Sequence, residues 1–296
     1  MAPAEPARSL WIQSALLGYV MVVENSAVDM ASKRVLITGA SSGIGAGLAE
    51  EFARRGAQVG ICARRASHLA EVLDRCRAHN PASRMWVTDL AEPGAPEELA
   101  TNAVQEMGGV DVLVNNAGIP LRHHVTRLDA DAVEQAMRVN FLAPVRLTLA
   151  LLPALMAGGD GRVVNVSSVA ATLSSPNESA YDASKAALSV FSEAMAVDLW
   201  GQGVKVLVVY PGLVDTDLLH APGNEPVVDS PTEAIPVSEV VAAVFDGLAR
   251  DATQVYVPAF FEDLAAGKAR DVPAFLAGTA AFVAAQTRDD PAPAPA

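Results

Sequence analysis

Two residues four positions apart, Tyr181 and Lys185, form the pair in this sequence with the clearest chemistry. Leu188, Phe191 and Met195 continue at helical spacing, which predicts an amphipathic helix with the pair on one face. A free phenol has a pKa of about 10 and is a poor base near neutrality, but a neighbouring ammonium favours its phenolate. The pair therefore indicates proton transfer at a substrate oxygen, although the same spacing also occurs as a purely structural pair.

A glycine-rich segment follows the first apolar run of the chain and precedes a helical pattern. Its residues are Thr38, Gly39, Ala40, Ser41, Ser42, Gly43, Ile44 and Gly45. Glycines let a chain turn sharply and let backbone N–H groups approach a pyrophosphate, which the positive end of the next helix also attracts. An ordinary tight turn is the alternative, but a strand before the segment and a helix after it favour the phosphate.

The fold class follows from short apolar runs that alternate with helix-period segments. The runs cover residues 35–37, 59–62, 85–87, 110–114, 163–166, 204–209 and 255–257. Near-continuous apolar strands between helices predict an α/β fold with a doubly wound parallel sheet of about seven strands. These runs use the chain to about residue 260, so we expect a single domain over residues 31–286.

Both ends of the chain differ from this pattern. Residues 1–30 form an N-terminal extension whose apolar stretch, 10–23, is too short to span a bilayer. We consider three alternatives for it: sequence upstream of a natural start at Met30, a helix that touches a membrane or protein surface, and a cleaved signal peptide. The Pro/Ala-rich residues 287–296 predict a disordered tail.

Composition excludes some classes of function. The formal net charge is −13 and only four lysines are present, which argues against a nucleic-acid partner. Cys62 and Cys76 provide neither a disulfide framework nor a ligand set, so we predict a reducing, cytoplasmic location and no metal. Residues 213–236 mix apolar side chains with four prolines and Gly223, which is typical of a loop that closes over a substrate.

Three further matches turn these features into a family resemblance. Ser168 lies thirteen residues before Tyr181, Asn140 lies on an earlier helix, and Pro211-Gly212 follows the sixth strand. Together with the G-x-x-x-G-x-G spacing, residues 33–216 resemble the short-chain dehydrogenase/reductase family. The resemblance implies a Rossmann-like domain and an oxidoreductase that transfers a hydride between a nicotinamide cofactor and a carbonyl or secondary alcohol.

The resemblance also implies the roles of four catalytic residues. Tyr181 would be the general acid in reduction and the general base in oxidation, and Lys185 would lower its pKa and hold the nicotinamide ribose. Ser168 would hydrogen-bond the substrate oxygen, and Asn140 would hold a water that relays protons from Lys185. Ser167 is the same type of residue as Ser168, and only the spacing to Tyr181 decides between them.

Cofactor preference is predicted from the end of the second strand. Ala63 stands where relatives that prefer NAD carry Asp, and Arg64 and Arg65 follow it. A guanidinium matches the 2′-phosphate of NADP, so we predict NADP(H), with Arg64 the stronger candidate. The alternative is that both arginines are solvated loop charges. By resemblance, Asp89 and the backbone of Leu90 would contact the adenine.

The remaining cofactor contacts come from the fourth and sixth strands. By resemblance they are Asn116, Ala117, Gly118, Pro211, Gly212, Val214 and Thr216, with Tyr181 and Lys185 at the nicotinamide. Thr216 has a helix N-cap as an equal alternative. His123 and His124 follow the fourth strand, where substrate contact and a solvated pair are both open.

The substrate and the partners are predicted more coarsely. The apolar loop suggests an apolar carbonyl or alcohol, and the resemblance implies a homodimer or homotetramer. The phenylalanines after residue 259 would pack on their own domain, extend an interface or rest peripherally on a membrane. Two other functions stay open: an epimerase or dehydratase with the same Tyr–Lys pair, and a non-enzymatic NADP-binding regulator.

Overall fold

The computed structural model describes residues 29–228 and 233–289, with side chains described to residue 286. Most of the predicted N-terminal extension therefore lies outside the described residues. The strands are β1 (Arg34–Thr38), β2 (Gln58–Ala63), β3 (Arg84–Val87), β4 (Val112–Asn115), β5 (Gly161–Val166), β6 (Val204–Pro211) and β7 (Gln254–Val257). All seven strands predicted from the sequence are confirmed.

The helices fall between the strands and continue after the last one. They are α1 (Gly43–Arg54), α2 (Ala66–Arg77), α3 (Ala95–Met107), α4 (Ala130–Met137), α5 (Ala143–Ala157), α6 (Ala170–Leu173), α7 (Ser179–Asp198), α8 (Val237–Ala249), α9 (Phe260–Arg270) and α10 (Val272–Asp289). A π-helical turn, Arg138–Leu142, joins α4 to α5, and a 3-10 turn, Val125–Arg127, precedes α4.

The strands form one parallel sheet in the order β3-β2-β1-β4-β5-β6-β7. Buried residues of α1, α2 and α8 cover one face, and those of α3, α5 and α7 cover the other. The predicted doubly wound α/β fold is thus confirmed. The chain order reverses between β1 and β4, and in such sheets the crevice at this point, beyond the carboxyl ends of the strands, is where ligands bind.

Two predicted boundaries shift. The fourth apolar run begins at Val110, but β4 begins at Val112, because Gly108 and Gly109 turn the chain with positive φ angles of 75° and 136°. At the other end, α10 continues to Asp289, so residues 287–289 of the predicted tail are helical, and the rest of that tail lies outside the described residues. The helix can continue because none of residues 287–289 is a proline; the next proline in the chain is Pro291.

The phenylalanine-rich C-terminal segment is divided between the core and the surface. Phe261 is buried, and its ring fills the space beside Gly212 at the end of β6. Phe260 and Phe282 are exposed. Packing on its own domain, one of the predicted alternatives, therefore accounts for Phe261 alone among these three.

One helical stretch of the described residues, Ala130–Ala157, is long and apolar enough to cross a membrane by length and composition. It comprises α4, the π-helical turn and α5. Leu147, Leu151 and Leu155 of this stretch are buried in the core beneath the sheet. A buried core helix passes the same test, and this packing assigns the stretch to the fold.

Candidate active site

A cleft of about 490 Å³ opens at the carboxyl end of the sheet, where the strand order reverses between β1 and β4. Nineteen of the residues predicted from the sequence line it: Gly39, Ser41, Ser42, Gly43, Ile44, Arg64, Arg65, Asp89, Leu90, Asn116, Ala117, Gly118, Ser168, Tyr181, Lys185, Pro211, Gly212, Val214 and Thr216. Three others, Thr38, Gly45 and Asn140, lie behind the wall and support it.

The loop between β1 and α1 has the geometry of an anion cradle. Gly39 and Gly43 have φ angles of +67° and +56°, and a Cβ on Gly39 would lie 2.7 Å from Cα of Ala117. Ser42 caps α1 without a side-chain hydrogen bond, and the first turn of α1 contains no acidic residue. The first N–H groups of a helix lack partners within it, so this loop fits the pyrophosphate of a dinucleotide.

Thr38 and Asn116 tie this loop to the end of β4. The Thr38 hydroxyl accepts hydrogen bonds from the backbone N–H groups of Asn116 (2.9 Å) and Ala117 (3.0 Å). In return, the Asn116 side-chain amide donates to the carbonyls of Thr38 (3.0 Å) and Gly39 (3.2 Å). Thr38 is buried, so it holds the two loops in register and does not reach the cleft.

The two arginines after β2 have different surroundings. Arg64 is largely exposed and lies 3.8 Å from the Asp89 carboxylate. Arg65 donates to the hydroxyls of Ser41 (3.1 Å) and Ser42 (2.5 Å) and pairs with Asp217 at 2.8 Å. Arg65 thus joins the glycine-rich loop to the segment after β6, while Arg64 extends from the rim with one long ion pair.

Tyr181, Ser168 and Lys185 meet at the opposite end of the cleft. Ser168 lies beside Tyr181, where its side chain acts to lower the pKa of the phenol, and the Ser168 hydroxyl accepts from the Ala170 N–H at 3.1 Å. Lys185 Nζ lies 5.8 Å from the centre of the Tyr181 ring. Three groups able to bind or exchange a proton at one substrate oxygen therefore converge where the nicotinamide end of a dinucleotide would lie.

Family comparison agrees with this geometry. The family model described as short chain dehydrogenase matches residues 33–225. The chain belongs to the short-chain dehydrogenase/reductase family. The fold and the family predicted from the sequence are both confirmed.

One curated relative and two solved structures are informative. A fatty acyl-CoA reductase of Mycobacterium tuberculosis is 37% identical over 195 residues, which are 65% of this chain and 66% of the relative. A short-chain dehydrogenase from Sphingobium yanoikuyae in complex with NADPH is 30% identical, with a TM-score of 0.72 over 81% of this chain and 94% of that one. A short-chain dehydrogenase/reductase from Burkholderia phymatum in complex with NAD shares the fold, at 21% identity and a TM-score of 0.75 over 90% and 99%. The chain spans 58–62% of the length of two further curated relatives.

Burial controls the ionisation of Tyr181 and Lys185. Burial raises the pKa of Tyr181 above its ordinary value, and the nearby carboxylate of Glu178 raises it further. Burial lowers the pKa of Lys185 to about 8. Burial and Glu178 therefore set the direction of the Tyr181 pKa in the protein alone, and the expected lowering of this pKa by Lys185 stays a prediction.

Asn140 lies in the π-helical turn and is completely buried. Its side chain accepts from the Ile119 N–H (2.8 Å) and donates to the Ile119 carbonyl (3.0 Å) and the Ser184 hydroxyl (3.0 Å). A Cβ on Gly118 would lie 3.3 Å from Asn140 Oδ1 and 3.4 Å from Lys185 Nζ. Asn140 thus braces the loop beside Lys185; its predicted water relay stays a prediction.

The structure separates the competing assignments of Ser167, Ser168 and Thr216. Ser167 is buried, donates to the Lys185 carbonyl at 3.1 Å and pairs with Ser189 at 2.8 Å, whereas Ser168 lies beside Tyr181 and acts on its pKa. The Thr216 methyl lies 2.9 Å from a Cβ built on Gly43, and no described helix begins at Thr216. The N-cap alternative for Thr216 therefore fails.

The two histidines and the acidic residues complete the description of the site. His124 caps the 3-10 turn, His123 Nδ1 lies 3.6 Å from the Glu225 carboxylate, and neither side chain is among those that line the cleft. No group of three or more His, Cys, Asp or Glu side chains could hold a metal within the part of the chain that the structure describes.

Three charged residues of the cleft were missed by sequence reasoning: Arg122, Glu178 and Asp217. Arg122 and Asp217 lie in loops without periodicity, so their types alone gave no signal. A sequence signal did exist for Glu178, because residues three apart share a helix face and Glu178 lies three residues before Tyr181.

Proposed function

We propose that the protein catalyses hydride transfer between NADP(H) and an apolar carbonyl or secondary alcohol. The observation that carries this proposal is the convergence of Tyr181, Ser168 and Lys185 at one end of a cleft whose other end is the glycine-rich cradle. The cradle would then hold the pyrophosphate of the dinucleotide, and Tyr181 and Ser168 would hold the reactive carbonyl at the opposite end.

The chain's own residues would handle the substrate oxygen. Ser168 orients that oxygen, and Tyr181 donates its proton to it in reduction or accepts it in oxidation. Lys185 holds a positive charge near the phenol and is placed to bond the nicotinamide ribose. When bound, the nicotinamide supplies or accepts the hydride.

The preference for NADP(H) rests on charge at the adenosine end. Ala63 contributes no carboxylate to compete for the ribose hydroxyls, and Arg64 extends from the rim with one long ion pair to Asp89. A guanidinium in this place suits a 2′-phosphate. The NADPH complex of the Sphingobium yanoikuyae relative supports this preference, whereas the NAD complex of the more distant protein is a likeness of fold alone.

An apolar substrate is supported by the other lining of the cleft. Ile119, Pro120, Leu213, Leu218 and Leu219 surround the space next to Tyr181. Apolar walls favour an aliphatic or aromatic substituent on the carbonyl carbon. The fatty acyl-CoA reductase among the relatives also favours a carbonyl attached to a long chain.

We further propose a cytoplasmic homo-oligomer. Leu149 of α5 and Val190 and Val197 of α7 are exposed apolar residues on the helices that cover one face of the sheet, and a contiguous apolar surface is typical of an interface. Cys62 and Cys76 are buried free thiols, which suits a reducing compartment.

A carbonyl panel tests the central proposal. Steady-state loss of NADPH absorbance is measured with aldehydes, ketones and acyl thioesters of increasing chain length. We expect turnover that rises with apolar chain length, and Tyr181→Phe should lower kcat by about 10²–10⁴-fold at an unchanged Kd for NADPH. Tight NADPH binding without turnover of any carbonyl would instead favour a regulatory NADP-binding protein.

A further inference from the structure

Arg122, in the loop after β4, is a buried charge that the proposed chemistry does not use. Only 5% of the residue is exposed, although it lines the cleft next to Tyr181. Burying a guanidinium is costly unless hydrogen bonds and an opposite charge compensate. The partners of Arg122 therefore indicate what its position serves.

One set of partners belongs to the substrate loop. The guanidinium donates to the carbonyls of Leu219 (2.6 Å) and Glu225 (3.1 Å). The backbone is engaged as well: the Arg122 N–H donates to the Asn224 side chain at 2.7 Å, and the Glu225 N–H donates to the Arg122 carbonyl at 2.9 Å. Four hydrogen bonds thus hold residues 219–225 against the loop after β4, over the apolar end of the cleft.

The other partner is a carboxylate beside the catalytic tyrosine. Glu178 Oε1 lies 3.9 Å from Arg122 Nη1, and Glu178 directly precedes α7, three residues before Tyr181. Burial raises the pKa of Glu178, and Arg122 opposes that rise. The same guanidinium that holds the loop therefore stabilises the Glu178 carboxylate.

Several other groups face Tyr181. On and before α7 they are Glu178, Asp182 and Lys185; the end of β5 contributes Ser168, and the loop after β4 contributes Arg122. Burial raises the pKa of Asp182 to about 7, and Lys268 of α9 opposes that rise. Among these groups, Arg122 is the cation that also binds the substrate loop.

We propose that Arg122 is a positioning residue that joins loop closure to the ionisation of Tyr181. Its hydrogen bonds hold the loop over the substrate, and its charge balances Glu178 at the phenol. This inference rests on the proposed function for its kinetic readout. A loop that moved away would remove the carbonyl partners of Arg122 and change the electrostatic balance around Tyr181.

Two substitutions at Arg122 separate the two roles. Arg122→Lys keeps the charge and loses the planar fork that bonds both carbonyls, whereas Arg122→Met removes the charge and both side-chain hydrogen bonds and keeps those of the backbone. Glu178→Gln removes only the carboxylate charge. Arg127→Met is the matched control, because Arg127 bonds the Glu225 carboxylate from the same segment but does not line the cleft.

The readouts are KM and the pH profile of alcohol oxidation, in which Tyr181 must lose its proton. Arg122→Lys should raise KM about tenfold and leave the pH profile unshifted, since two charge-assisted hydrogen bonds are weakened. Arg122→Met should raise KM similarly and move the profile about one unit to higher pH, because a cation near the phenol is lost. Glu178→Gln should move the profile to lower pH, and Arg127→Met should not move it.

A second measurement does not depend on turnover. The phenolate absorbance of Tyr181 is obtained by subtracting the titration of Tyr181→Phe from that of each protein, with NADPH absent. The pKa should rise in Arg122→Met and fall in Glu178→Gln. Coincident titrations of Arg122→Met and the unaltered protein would overturn the inference, while shifted titrations in a protein that reduces no carbonyl would overturn the proposed function alone.

Discussion

Lys185 Nζ lies 5.8 Å from the centre of the Tyr181 ring and donates its hydrogen bond to the Val166 carbonyl, at 2.9 Å. The strand carbonyl thus holds the ammonium at the level of the ring. Since burial lowers the pKa of Lys185 and raises that of Tyr181, the folded chain disfavours both ionised forms. Burial of Tyr181 and Lys185 in this site therefore lowers the stability of the folded protein.

That cost predicts the effect of Lys185→Met on the free energy of unfolding. Below pH 8 the lysine is charged in both states, and the folded chain carries the penalty for burying the charge. Between pH 8 and the ordinary value of 10.5, the folded chain releases the proton first and the penalty disappears. Lys185→Met should therefore stabilise the protein by about 2 kcal/mol near neutral pH while abolishing turnover.

Urea unfolding without cofactor, at about pH 7 and about pH 9.5, measures this difference. The advantage of Lys185→Met should shrink at the higher pH. Lys205→Met, at a half-exposed lysine paired with Asp251, is the control and should show similar differences at both values. A Lys185→Met protein less stable than the unaltered chain at neutral pH would contradict the argument.

The sequence was informative wherever a feature is local or periodic. Runs rich in valine and isoleucine predicted all seven strands, and the thirteen-residue offset from Tyr181 distinguished Ser168 from Ser167. Both kinds of signal survive because strand pairing and helix pitch fix spacing along the chain. Ser167 is the adjacent residue and of the same type, and its hydroxyl is bonded to the Lys185 carbonyl and to Ser189.

Features that depend on distant loops could not be predicted. Arg122 meets Leu219 and Glu225 across 97 and 103 residues, and no periodicity connects these segments. The brace that Asn140 forms with Ile119 depends on the π-helical turn, for which its sequence carries no distinct signal. The balance between burial and charge at Tyr181 depends in turn on how deeply these loops cover it.

The cradle predicts a second effect, at Gly45 in the first turn of α1. A Cβ at this position would lie 2.5 Å from the Gly39 carbonyl oxygen and would also clash with the Asn116 amide. Gly45→Ala should lower the free energy of unfolding by about 1–3 kcal/mol and weaken NADPH binding, because α1 must shift away from the cleft.

Gly267→Ala is the matched substitution, in the interior of α9. Nothing lies within 4 Å of a Cβ built there, so the change should stabilise the protein by about 0.5–1 kcal/mol through helix propensity. Thermal unfolding and NADPH titration of both variants give the comparison. Equal free energies of unfolding for Gly45→Ala and Gly267→Ala would contradict this prediction.

The difference between Arg64 and Arg65 predicts the last result. Arg64 extends from the rim beside Asp89, so Arg64→Ala should raise the Kd for NADPH about 10–100-fold and leave the Kd for NADH nearly unchanged. Arg65 instead orders the glycine-rich loop through Ser41 and Ser42. Arg65→Ala should therefore weaken NADPH and NADH together, because both cofactors use that loop for the pyrophosphate. Fluorescence titration of both cofactors against each variant measures the four constants, and an Arg64→Ala protein that loses NADH as strongly as NADPH would remove the basis for NADP preference.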